Sequence, residues 1–281
     1  MTSEYDKKFI FNVLKSQINS RLKWEHPDNH KLEEAAQLFW DSICDHDIMY
    51  INKVKLPDIR WITTNLWYGW PMIYADSLMI HHLFNDDYSV KNVSMMEEWG
   101  TEGPYGFENI VVDEGDTVID AGAYIGDWSA VAAQMGGNVY AFEPSPFSLP
   151  LLQKTADMNK FNVVGKGLGD SCCQKLINTS QDAPAQNIND TIGVPCEIIT
   201  IDEFATKNDL KIDFIKADIE GYEIQMLQGA AKIIARDGPK LAIRTYHHKG
   251  RDAQQLLDLV PKLNPNYKVI MRKFTLYAYV P

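Results

Sequence analysis

Asp120 and Glu143 bracket the stretch "VIDAGAYIGDWSAVAAQMGGNVYAFEPSP", residues 118–146. An apolar run ends on an acid, passes through Gly122 into a helical pattern, and a second apolar run ends on another acid. Further along, Asp218 and Glu220 in "IKADIEGYE" add carboxylates, and His247 and His248 in "RTYHH" add imidazoles. Carboxylates fix hydroxyl and ammonium groups, and an imidazole with an ordinary pKa moves protons near neutrality. Such a set suits a small-molecule site in which a proton is handled.

Gly122 lets the chain turn sharply after a strand and approach a ligand closely, and Gly126 lets the following helix pack tightly on the strand. Ligands of open α/β sheets sit at the carboxyl ends of the strands. Glu143 lies 21 positions after Gly122, where a carboxylate can accept both hydroxyls of a ribose. A dinucleotide fingerprint would place glycines at 122, 124 and 127, but Tyr124 and Asp127 stand at the last two. A bulky ring and an acid oppose a pyrophosphate there. Asp120, Gly122, Ala123, Tyr124, Gly126, Glu143 and Pro144 therefore line an acidic cradle for a cationic, ribose-bearing ligand. S-adenosylmethionine has a sulfonium, an ammonium and no phosphate. The bland alternative stays open: Asp120 as a helix cap and Glu143 as a surface acid.

Asp218 ends a predicted strand, which places it beside the reacting group, able to accept from an ammonium or a hydroxyl. Glu220 is open to a second reading, as a cap of the next helix. His247 follows the next strand and is the candidate general base, neutral near pH 7; His248 is the alternative. Asp170 in "GKGLGD" can read an adenine amino group or simply turn the chain, and Tyr105 in "EGPYGF" can close over the cofactor. His81, His82, Asp45, His46 and Asp47 show no matched ligand spacing, so no metal is expected there, while a divalent metal at Asp218 stays open.

Positioning these residues requires a sheet. From about Val111, short apolar runs alternate with helical patterns, the mark of stacked βαβ units. Strands are expected at 117–121, 138–142, 162–166, 213–218 and 240–246, and helices at 127–135, 147–159, 222–235 and 252–261. The tail "YKVIMRKFTLYAYV" reads as two antiparallel strands. Residues 1–107 read as a helical, aromatic-rich extension, with helices at 5–19 and 28–44. Trp67 and Tyr68 are pocket candidates within a cluster from Trp61 to Tyr74 that otherwise reads as core. Residues 108–281 form the cofactor-binding domain.

Composition narrows the class. Of 281 residues, 45% are hydrophobic and 23% charged, which suits a globular fold. The net charge of −11 argues against a nucleic-acid partner. No apolar run approaches the ~18 residues a membrane helix needs. The charged start "MTSEYDKKFIFNVLKS" is no secretory signal, and adjacent Cys172 and Cys173 suit free thiols, so a cytoplasmic location is expected.

The blocks "VIDAGAYIGDWS", "VYAFEPSP", "ITIDEF", "IDFIKADIEGYEIQMLQGA" and "KLAIRTYHHKGRD" resemble the FkbM family of S-adenosylmethionine-dependent methyltransferases over residues 108–281. The resemblance implies a class I methyltransferase fold, Rossmann-like, with a seven-stranded sheet whose last strand is antiparallel. It also implies methyl transfer, most often to a hydroxyl of a sugar, glycan or secondary metabolite. Many members keep an acid where this chain has Arg244.

Overall fold

A computed structural model describes residues 48–51, 54–57, 105–124, 126–146, 148–178, 188–189, 191, 193–245, 247, 251–272 and 274–281. The helices expected at 5–19 and 28–44, the aromatic cluster with Trp67 and Tyr68, the residues Asp45, His46, Asp47, His81 and His82, and His248 lie outside them.

In chain order, a hairpin comes first: β1 (Ile48–Ile51) pairs antiparallel with β2 (Val54–Pro57). It falls in the segment expected to be helical, and β2 lies against the first two helices of the domain that follows. Next come β3 (Thr117–Ala121), α1 (Asp127–Gln134), β4 (Asn138–Phe142), α2 (Leu149–Asn159) and β5 (Asn162–Val164). Four strands not expected from sequence follow: β6 (Gly167–Leu168), β7 (Cys173–Ile177), β8 (Ile188–Asn189) and β9 (Val194–Ile199). The chain continues through α3 (Ile201–Lys207), β10 (Phe214–Ala217), α4 (Glu223–Gln228), α5 (Ala231–Asp237) and β11 (Lys240–Arg244). It closes with α6 (Arg251–Leu263), β12 (Lys268–Arg272) and β13 (Thr275–Tyr279).

The main sheet has seven strands in the order β12-β13-β11-β10-β3-β4-β5. Its five β/α strands run parallel, and β13 is antiparallel to both neighbours. The expected seven-stranded sheet with an antiparallel last strand is what forms. Parallel central strands are covered on both faces, so they read as nearly continuous apolar runs; every residue of β10 is buried. On one face Ile119, Ile215 and Ile243 meet Met226, Leu227, Ile234 and Leu256 from α4, α5 and α6. Each such side chain contributes ~1.5–3 kcal/mol on full burial. Side chains alternate across a strand, and the opposite face carries charge at its centre: Asp120 and Lys216 are register partners on β3 and β10.

The second sheet has the order β6-β9-β7-β8, with a small core of Ile177, Cys196 and Ile198. From it, Thr200 caps α3 by accepting the Glu203 amide at 3.0 Å. The expected single helix at 222–235 is broken at Gly229. There a side chain would meet the Gly169 carbonyl at 1.9 Å, and the Gly229 carbonyl accepts the Asp202 amide at 3.0 Å. The Asp202 carboxylate then takes the amides of Lys232 and Ile233, which starts α5. Among the described residues no helix is long and apolar enough to cross a membrane.

Candidate active site

The turn after β3 is built by left-handed backbone: Gly122 has φ +75° and Gly126 φ +87°. The amides of Gly122 and Ala123 both donate to the Phe142 carbonyl at 3.0 Å, tying the ends of β3 and β4 together. A Cβ on Gly122 would sit 2.0 Å from the Asp218 carbonyl, so the turn lies directly against the end of β10. At Gly126 the space is taken by Leu152 and Phe161 rather than by the strand itself.

Glu143 follows β4 and is 7% exposed. One of its oxygens accepts the Tyr124 amide at 3.0 Å and the other the Ser145 amide at 2.8 Å. Burial pushes its carboxyl up to about 7, against the pull of those amides and Lys216. Each carboxylate oxygen still has a lone pair to offer, so the group fits a ribose diol. Ala123 is buried, and Tyr124 and Pro144 are half-buried beside it.

Asp120 is fully buried and committed within the protein. Ser129 donates its hydroxyl to it at 2.5 Å, and Lys216 forms an ion pair with it at 2.9 Å. Lys216, which sequence reading did not single out, also donates to the Gly122 carbonyl at 2.8 Å and lies over the Tyr105 ring at 5.0 Å. Its one signal was a lysine inside a strand whose other residues are apolar. The cradle is therefore less acidic than the sequence suggests, because Lys216 offsets Asp120.

At the end of β10, Asp218 accepts the Tyr105 hydroxyl at 2.7 Å through Oδ2. Its Oδ1 faces His247 Nε2 at 3.2 Å. The other ring nitrogen, Nδ1, faces Glu223 Oε1 at 3.1 Å, and Glu220 Oε2 approaches Nε2 at 3.4 Å. Glu223 is held in turn by the Ile219 and Gly221 amides at 3.0 and 3.4 Å. It was missed because an acid in a first helical turn reads as an exposed cap.

Burial opposes charge on His247, but Asp218 and Glu223 outweigh it and raise the imidazole to about 10. The ring is thus an imidazolium at neutral pH, a departure from the neutral base expected from sequence. Burial likewise pushes Asp218 up, but His247, Lys216 and Tyr105 together hold it below the usual carboxylate range. Glu220 goes the other way: burial, with Asp218 and Glu223, raises it to about 7 despite His247.

Asp218, Glu223 and His247 each offer a ligand atom within 4.8 Å of the others. The two ring nitrogens face different carboxylates, so a cation on one nitrogen would leave one carboxylate on the far edge of the ring.

Asp170 stands apart from this cluster. It follows β6 of the small sheet, not the third strand of the main one, and is exposed, accepting the Ser171 hydroxyl at 2.9 Å. Arg244 ends β11, 1% exposed, and donates to Thr275 at 2.9 Å.

A seven-stranded sheet in this order, with a glycine turn and acids at its carboxyl edge, is that of a class I methyltransferase. The chain belongs to the methyltransferase FkbM family, whose domain matches residues 120–277. It is similar to the solved methyltransferase FkbM from Methylobacillus flagellatus KT, 22% identical, with a TM-score of 0.49, over 79% of this chain and 58% of that one. The chain thus spans little more than half the length of that protein. An rRNA methylase from Streptococcus thermophilus is 16% identical over 60% of this chain and 89% of its own, with a TM-score of 0.40. Aeropyrum pernix fibrillarin with natively bound S-adenosyl-L-methionine is 12% identical over 60% and 68%, with a TM-score of 0.37. No curated protein matches the sequence.

Proposed function

We propose that the protein is an S-adenosylmethionine-dependent O-methyltransferase whose acceptor is a hydroxyl on a small or glycan-like molecule. The observation that carries this reading is the contact between the Gly122 turn and Asp218, which sets the cofactor cradle against a cluster of proton-handling groups. The cofactor supplies an electrophilic methyl on a sulfonium. Glu143 accepts the ribose hydroxyls, and the tie from Gly122 and Ala123 to Phe142 holds the cradle's floor. Tyr105 and His247 fix the Asp218 carboxylate, which accepts from the cofactor's ammonium or aligns the acceptor hydroxyl. Asp170, beyond β6, reads the adenine end. Alignment of this kind supplies much of the rate of a methyl transfer. The net charge of −11 favours a small acceptor over a polyanionic nucleic acid.

The test is release of S-adenosylhomocysteine against a panel of sugars, hydroxylated metabolites, amines and RNA. Release with hydroxyl acceptors supports the reading. Release with RNA or amines alone contradicts it.

A further inference from the structure

We propose that Glu220, not His247, takes the proton from the acceptor hydroxyl, with His247 beside it as a positioning residue. This rests on the O-methyltransferase reading above.

Three carboxylates surround the His247 ring, and they are not equivalent. The side chains of Asp218 and Glu223 are 8% and 2% exposed, and both are engaged by other donors, Tyr105 on Asp218 and the Ile219 and Gly221 amides on Glu223. The Glu220 side chain is 28% exposed, and among the described residues its one polar partner is Nε2 of His247 at 3.4 Å. It is the carboxylate an acceptor in the crevice can reach.

The backbone also departs from its ordinary form there. Glu220 has φ +56° and Gly221 φ +97°. A left-handed conformation is strained for a non-glycine residue, and such strain persists where surrounding structure fixes it. Here Glu223 fixes it through the amides on either side of Glu220. The turn brings the Glu220 carboxylate within 3.4 Å of His247 Nε2.

The electrostatics agree with the geometry. The groups facing Glu220 are Asp218 at the end of β10, Glu223 on α4 and His247 after β11. Burial raises Glu220 most, His247 opposes it and Asp218 and Glu223 add to it, so its carboxyl stands at about 7. A base poised near working pH is the efficient kind. His247, charged up to about 10, has no lone pair to offer at neutral pH.

The step balances. The hydroxyl oxygen forms the new C–O bond as the methyl C–S bond breaks and its electron pair returns to sulfur. The hydroxyl proton passes to Glu220, which becomes a neutral carboxylic acid. One positive charge on sulfur and one negative charge on the carboxylate disappear together.

The experiment compares wild type, Glu220→Gln and His247→Gln. Turnover is followed from pH 5.5 to 9, cofactor affinity by calorimetry, and the carboxyl groups by carbon-13 NMR of glutamate-labelled protein. Wild-type turnover should rise with pH through about 7. Glu220→Gln should lose ~10²–10⁴-fold in turnover, lose that rise, and keep cofactor affinity within about twofold. His247→Gln should keep the rise but move it to higher pH, since the imidazolium lowers Glu220. In NMR, one glutamate signal titrating near neutrality should vanish in Glu220→Gln. Hydroxyl methylation that proceeds in Glu220→Gln at wild-type rate, or the absence of a signal removed by that substitution, overturns the proposal alone. A wild-type protein that methylates amines but no hydroxyl overturns the O-methyltransferase reading, and the proposal with it.

Discussion

Lys216 and Asp120 form a 2.9 Å ion pair between register partners on the two central strands, with side chains 5% and 0% exposed. Breaking one half of a buried pair leaves the other charge uncompensated and costs ~3–5 kcal/mol. Lys216→Met should lower stability by that amount in urea unfolding. The double variant Lys216→Met/Asp120→Leu should regain most of it, because both charges are then gone. A single-variant loss below ~1 kcal/mol would show that the pair is not closed as described.

The Gly122 turn allows a sharper expectation than sequence alone. A Cβ there would stand 2.0 Å from a backbone carbonyl at φ +75°, so even Gly122→Ala must push β3 and β10 apart. Both the fold and cofactor binding should suffer, with strain alone costing ~1–3 kcal/mol. Retention of wild-type melting and affinity by Gly122→Ala would contradict this geometry.

Glu143 is raised to about 7 in the folded protein from an ordinary value of 4.5. The folded state therefore binds more protons than the unfolded one between those values, and stability falls as pH rises through that window. Wild type should lose stability relative to Glu143→Gln from about pH 4.5 to 7, by on the order of 1 kcal/mol per pH unit, and run parallel above. If the ribose hydroxyls bind the ionised form, cofactor binding at pH 6.5 should also release a proton. Calorimetry in buffers of different ionisation enthalpy measures it, and Glu143→Ala should abolish the release and weaken binding by ~1–3 kcal/mol.

His247 has a dependence of the same sign at higher pH. An imidazole raised from 6.5 to about 10 contributes stability that is full below about 6.5 and lost as pH rises through 10. Denaturation from pH 6 to 10.5 should show wild type losing its advantage over His247→Gln across that range. Parallel curves would mean that the ring is not held between Asp218 and Glu223.

The main sheet was legible because its central strands are nearly unbroken apolar runs, and 117–121 and 138–142 were placed to the residue. The small sheet was not. β6 and β8 have two residues each, and β9 carries Pro195 within it, so neither period nor length marks them. The positions of Gly122, Glu143, Asp218 and His247 at turns and strand ends were legible because those are local signals. Lys216 gains its place through Asp120 and Gly122, and Glu223 through His247, contacts from distant segments that no spacing along the chain records. The charge state of His247 was misjudged for the same reason, since Asp218 and Glu223 come to it across 29 and 24 residues.

The central claim is that the crevice beside Gly122, Glu143 and Asp218 holds S-adenosylmethionine. Titration calorimetry of the full chain with S-adenosylmethionine, S-adenosylhomocysteine and NADPH tests it most directly. Saturable one-to-one binding of the first two, weakened in Glu143→Ala, with no heat from NADPH, is the result expected. Binding of NADPH with none of either sulfur compound would contradict the account.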